Sequence, residues 1–149
     1  MSKNVKWHGE KVTAMIMKGL ERNLDKAAIH MDNEVKQELS KSGSGRQYEV
    51  GGRIHTASAA GEPPALLFGT LRNSITHETI SPVRRRVGVT STSAAGVSGE
   101  GNKGYARRLE YGFVGTDRLG RHYDMSPRPF MRPTFDRNRK RIGQILAGK

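Results

Sequence analysis

The chain has 149 residues, no cysteine, and 26 basic against 14 acidic side chains, a net charge of +12. That length suits one domain, and the lack of cysteine excludes disulfides and thiolate metal sites. Uninterrupted apolar runs reach only four residues, Ala14 to Met17 and Ala65 to Phe68, which predicts neither a membrane span of about 18 residues nor a secretory h-region, hence a soluble protein made inside a cell.

Leu, Ile, Val and Phe together number 29 of 149. A share below about 20% with high net charge predicts a thin core. Either long segments stay mobile in the free chain, or neighbouring subunits supply the missing buried surface.

In chain order, apolar residues recur at Val12, Met15, Ile16, Leu20, Leu24, Ala27, Ala28, Met31, Val35 and Leu39. Steps of three and four predict one amphipathic helix from Val12 to Leu39. It lies across a sheet, or turns part of its stripe to another subunit. Residues 40–47 are flexible by composition. Tyr48, Val50, Ile54 and Thr56 alternate as in a strand, which Gly51 and Gly52 weaken or bulge. The run from Ala57 to Pro64 reads as a loop, and Leu66 to Ile75 as the start of a short helix with Thr70 as its cap.

Ile75 to Ile80 and Val83 to Val89 predict a hairpin across Ser81 and Pro82. In its second strand Arg85 shares a face with Val83, Val87 and Val89, while Arg84 and Arg86 share the other. Residues 90–104 are rich in Ser, Thr and Gly and predict a second flexible loop. Tyr105 to Tyr111 forms two helical turns closed by Gly112. A polar stretch, Phe113 to Met125, leads to the rigid Ser126 to Pro133. Pro133 at a first helical position opens a final helix with Phe135, Ile142, Ile145 and Leu146 on one side. The order predicts an α+β fold over residues 1–149: a long N-terminal amphipathic helix on an antiparallel sheet, a short helix and a C-terminal helix.

Catalytic signatures are scarce. Five histidines lie 22 or more residues apart, giving no local metal-ligand pair. The glycines of Gly99 to Gly104 lack the Lys-Ser/Thr of a phosphate loop, and no serine sits in a nucleophile elbow. Glu110, with Arg107 and Arg108 nearby, reads as a carboxylate that fixes a turn. The expectation is no enzyme, no cofactor and no metal.

Charge is more informative. Residues 76–149 carry 15 basic and 6 acidic groups, and twelve of those cations are Arg. Arginine suits bidentate contact with phosphate or carboxylate, so Arg84, Arg85, Arg86, Arg137, Arg139 and Arg141 are candidates for contact with phosphate or an acidic partner. Base-specific readout is not expected, because the aromatics are not interleaved with the basic runs.

Three segments resemble one family. Gly61 to Ile75 (GEPPALLFGTLRNSI) resembles its Pro-containing loop and Leu-Arg element, carrying Leu71 and Arg72. Tyr105 to Gly112 (YARRLEYG) resembles its Tyr-Ala, Glu-aromatic-Gly element, carrying Tyr105, Glu110, Tyr111 and Gly112. Arg128 to Pro133 (RPFMRP) resembles its Arg-Pro-Phe-Leu-Arg-Pro element, carrying Arg128, Pro129, Phe130, Arg132 and Pro133. The family is that of neck and tail components of long-tailed bacteriophages, typified by the gene-ten product of phage Hong Kong 97, and the resemblance covers about residues 10–147.

It implies a virion protein for tail completion or head-tail joining, made in the host cytoplasm and assembled as a ring, six-fold to match the tail. Its implied partners are its own copies and other tail or connector proteins, with non-specific contact to genomic DNA and none to membrane. The alternative is a basic nucleic-acid-binding protein acting free in the cell, and a small enzyme is the third reading. On the residues alone, Phe130 is expected buried in an extended anchor, Glu110 to face a cation or backbone donors, and Tyr105 and Tyr111 to pack on the sheet.

Overall fold

The computed structural model describes residues 8–89, 101–116 and 119–149. Ten elements follow in order: α1 (Gly9–Glu38), β1 (Gln47–Val50), β2 (Arg53–Thr56), α2 (Thr70–Asn73), β3 (Ile75–Ser81), β4 (Arg84–Val89), α3 (Gly101–Tyr111), β5 (Phe113–Thr116), β6 (His122–Met125) and α4 (Met131–Leu146). The class is α+β, as the element order predicts. The strands do not join one sheet. They pair as three antiparallel hairpins, β1 with β2, β3 with β4 and β5 with β6.

α1 runs 30 residues without Pro, roughly 45 Å at 1.5 Å per residue. Its stripe is buried only from Ala27 onward, where Ala28, Met31 and Val35 recur on one face. The first half of the stripe is not covered: Val12, Met15 and Ile16 are exposed. The core therefore sits at one end of the helix. Met31, Val35 and Leu39 meet Ile75 of β3, Ala106 and Leu109 of α3, and Phe130. Leu71, Val87, Val89, Met125, Met131 and Ile142 close around them.

The β3–β4 hairpin lies against α1. Its register pairs Ile75 with Val89 and His77 with Val87, with a bulge between Thr79 and Ser81. β3 extends through Ser81, which pairs with Arg84, so the turn falls on Pro82 and Val83 instead of Ser81 and Pro82. Arg85 reaches back to Asp25 of α1 at 2.5 Å, and its side chain is only 8% exposed. The buried Asp32 pairs with His77 Nδ1 and Lys36 Nζ, each at 2.7 Å. These two carboxylates pin the hairpin to the helix.

α4 runs antiparallel along the other flank of α1. The Asn23 amide donates to the Leu146 carbonyl at 3.2 Å, His30 Nε2 meets Asn138 Oδ1 at 3.0 Å, and Arg137 pairs with Glu38 at 2.8 Å. Thr134 is buried and Asn138 half-buried, and both face α1 with Ile142 and Ile145. Phe135, expected on this apolar side, points to solvent instead. It directly follows Thr134, so a helical step of about 100° carries it off the contact face.

Four further boundaries differ from expectation. Residues 48–56 form two strands rather than one, because Gly51 and Gly52 both have positive φ and make the turn between β1 and β2. Thr70 is the first residue of α2, and Gly69 precedes it in the left-handed region with no side-chain cap. Pro133 is the third residue of α4, where its missing N–H still falls among those without an intrahelical partner. The polar stretch 113–125 contains the β5–β6 hairpin.

The segment read as flexible, 40–47, makes specific contacts. The Gly45 amide donates to the Ala57 carbonyl at 2.8 Å, and a Cβ at Gly43 would lie 2.1 Å from the same oxygen. Glu62 accepts from the Ser44 and Ala59 amides at 3.1 and 2.9 Å, and from the Ser44 hydroxyl. Of the second expected loop, residues 90–100 lie outside the described residues, and 101–104 belong to α3.

Candidate assembly site

The helix α4 begins without help from its own cap. Phe130, the residue before its first turn, supplies no side-chain hydrogen bond, so the first amides need an outside acceptor. Glu110 near the end of α3 provides it. Its Oε2 accepts from the amides of Phe130 and Met131 at 2.8 and 3.0 Å, and its Oε1 from Arg132 at 3.0 Å. A carboxylate at a helix N-terminus also meets the positive end of the helix dipole. Of the two partner types expected for Glu110, the backbone donors are the ones it meets.

Two features bring Glu110 there. Gly112 ends α3 with φ +78°, and a Cβ at this position would lie 2.8 Å from the Met125 carbonyl and 3.1 Å from Pro127. Only glycine fits that close turn. The chain then returns through β5 and β6 and lies back along α3, where the Arg128 amide donates to the Leu109 carbonyl at 2.6 Å. Pro127 accepts from the Gly61 amide at 2.9 Å, and Arg128 Nε from its side donates to the Ser58 carbonyl at 3.4 Å. Arg108 lies over the Phe113 ring at 4.5 Å, a cation–π contact that fastens the hairpin to α3.

Phe130 is 1% exposed, in the middle of the core. Pro129 and Pro133 on either side are half-buried and limit the backbone to extended and first-turn conformations. Thus Tyr105 to Gly112 and Arg128 to Pro133 make one hydrogen-bonded unit through Glu110 and Phe130, 20 residues apart. The third segment stands next to it: Leu71 packs on the core, and Arg72 Nη1 reaches Ser40 Oγ at 3.5 Å.

The tyrosines do not pack as expected. Tyr111 is 72% exposed, because Gly112 turns the chain away immediately after it. Tyr105 is partly exposed and lines a hollow with Leu39, Leu66 and Phe68. Burial pushes its phenol pKa up, with Tyr48 adding to the rise and Arg128 opposing it. The side chain of Arg132 is exposed, and only its amide enters the unit.

The six candidate arginines do not form one free patch. Arg85 is bound to Asp25 and to the Ser81 carbonyl, Arg86 to Glu78 and Arg137 to Glu38. Arg84, Arg139 and Arg141 are exposed, and among the described residues they make no ion pair. No three His, Cys, Asp or Glu side chains converge as a metal site among the described residues, and no helix there is long and apolar enough to cross a membrane.

Sequence reasoning missed an apolar groove between α3 and the start of α4, lined by Met31, Ala106, Tyr111, Phe130 and Phe135. The signals for it in the sequence are Tyr111, expected to pack on the sheet, and Phe135, expected on the apolar side of the final helix. No family model, curated protein or solved structure matches this chain.

Proposed function

We propose that this chain is a structural virion protein of a long-tailed bacteriophage, a tail-completion or head-tail joining component that works as a ring of identical copies. The observation that carries the reading is the apolar surface left uncovered at two separate places. Val12, Met15 and Ile16 lie on one end of α1, and Tyr111 and Phe135 lie beside the groove at the other. Monomeric proteins keep such patches small, and subunits of assemblies cover them. Two of the three resembling segments support the same reading, since they make the Glu110 unit that frames the groove.

The role is stoichiometric and needs no turnover. Six copies would match the symmetry of a tail, and the other partners would be tail or connector proteins, in a particle assembled in the host cytoplasm. The nucleic-acid alternative draws on the same arginines, yet three of the six are engaged by carboxylates of this chain. Passing DNA would meet only non-specific positive charge.

Negative-stain microscopy of the purified protein, alone and mixed with phage tails, tests the proposal. Rings, or added density at one end of the tail, are the expected outcome. Monomers that ignore tails but bind DNA with affinity falling steeply in salt would favour the nucleic-acid reading.

A further inference from the structure

The carboxylates of α1 are engaged inside the molecule, and most of its cations are not. Of the six acidic side chains in the helix, Asp25 and Asp32 bind Arg85 and His77 of the β3–β4 hairpin, and Glu21 adds its charge beside Arg85. Glu10 stands in line with Glu21 along the same side. On the other flank, Glu34 accepts from Asn138 and Glu38 pairs with Arg137 of α4. At about 100° per residue, Lys18, Arg22 and Lys26 fall between these two flanks, on the side of α1 turned away from the core residues Met31 and Val35. All three are exposed, and among the described residues none makes an ion pair.

α4 continues the same surface. It holds five basic side chains and one acidic. The contacts of Asn23 with Leu146 and of His30 with Asn138 set the two antiparallel helices side by side and bring Arg141 level with Lys26. Met131 and Ile142 turn to the core, which leaves Arg137, Lys140 and Arg141 on the outer side. Arg137 is held by Glu38, and Arg141 reaches only the neutral Gln144, at 3.5 Å. Asp136, the acidic residue of α4, stands one turn from Lys140 at the edge of this surface, and among the described residues it binds no cation.

The chemistry of the surface selects its partner. From Lys18 to Gln37, Ile29 is the one large apolar side chain of α1 with substantial exposure, at 46%. That is too little to hold a helix on a membrane, where binding scales with buried apolar area. The aromatic residue of α4, Phe135, projects elsewhere, beside the groove. A protein partner would look for aromatic and apolar anchors at the centre of the contact, and unpaired bases would look for aromatic rings to stack on. What the surface does offer is a row of cations about 6 Å apart along α1, with a second row beside it on α4. Duplex DNA carries one negative charge per about 1.7 Å of axis, so such rows meet phosphates in any register.

We propose that the outer face of the α1–α4 pair is a contact surface for the phosphate backbone of duplex DNA, independent of base sequence. Lys18, Arg22, Lys26, Lys140 and Arg141 make the contacts, and Arg137, tied to Glu38, adds less. The sequence hides this face, because α1 balances five basic against six acidic side chains and only the fold sorts them to different sides. One copy carries the whole surface, so this contact does not depend on the ring reading: duplex titration and the counting of copies can fail separately.

Fluorescence anisotropy with a short labelled duplex of mixed sequence, titrated at several salt concentrations, tests it. Five phosphate contacts predict a slope of about −4 to −5 in log affinity against log salt. Arg22→Gln, Lys26→Gln and Arg141→Gln should each make that slope shallower by about one, with the helical circular dichroism signal kept, since glutamine is as good a helix former. Arg84→Gln is the control. It removes the same charge from the hairpin face opposite Arg85, away from α1, and should leave the slope unchanged. An equal loss in the control would mean diffuse net charge and overturn the surface. Absence of saturable binding at low salt would overturn the contact itself. Tighter binding to polyglutamate than to the duplex would overturn DNA in favour of an acidic protein partner.

Discussion

Glu110 and Phe130 hold each other in place: the Glu110 carboxylate accepts the Phe130 amide at 2.8 Å, and the Phe130 ring fills the core beneath α3 with 1% exposure. The amide bond orients the start of α4, and the buried ring fixes its depth. Neither alone sets both. Since α3 and α4 form the sides of the apolar groove, this pair fixes how the two sides stand to one another.

Phe130→Ala should cost about 3 to 5 kcal/mol, the usual range for emptying a fully buried aromatic site. Urea unfolding followed by circular dichroism measures it through the midpoint at unchanged slope. A loss below about 1 kcal/mol, in the range of surface substitutions, would show that Phe130 does not anchor the helix.

Glu110→Gln keeps a single carbonyl oxygen for three amide donors and removes the negative charge at the helix start. The expected cost is about 1 to 3 kcal/mol, from charge-assisted hydrogen bonds and the helix dipole together. Thermal unfolding of the variant is the check, and Glu110→Asp, too short to reach all three amides, should lose nearly as much. A variant as stable as the parent would remove Glu110 from the role given to it.

Acid should loosen the hairpin and the segment before it. The hydrogen bond and charge of Arg85 hold the Asp25 carboxyl below its ordinary value, and the hydroxyl and amide of Ser44 with the Ala59 amide do the same for Glu62. The unfolded chain therefore takes up these protons first. The stability each group contributes is complete above its unfolded value, about 3.9 for Asp and 4.3 for Glu, and is lost as pH falls through the lower folded value. Carboxyl NMR titration should find both groups low, and Arg85→Ala should return Asp25 toward its ordinary value while leaving Glu62 unmoved.

Legibility in the sequence tracked periodicity. α1 was readable because its apolar residues keep a helical step over 28 residues. The β3–β4 hairpin was readable because alternation placed Arg85 opposite Arg84 and Arg86. What failed were elements made by glycine or by distant contacts. Gly51 and Gly52 disguised a turn as a bulge, and Gly115 broke the alternation that would mark β5. α3 starts four residues before Tyr105, through Gly101 and Gly104, which are poor helix formers. Phe135 and the first half of the α1 stripe look like core in one dimension, since periodicity identifies an apolar face without saying whose surface covers it. The motif residues around Glu110 were visible, but their mutual bonding spans 20 residues and needed the fold.

Native mass spectrometry of the purified chain across a concentration series, alone and with phage tails, counts the copies in the assembly. A ring protein gives one closed species of a fixed number of 16.5 kDa copies, six in the simplest case, formed freely or on the tail. A chain that stays monomeric at every concentration and does not join tails would contradict it.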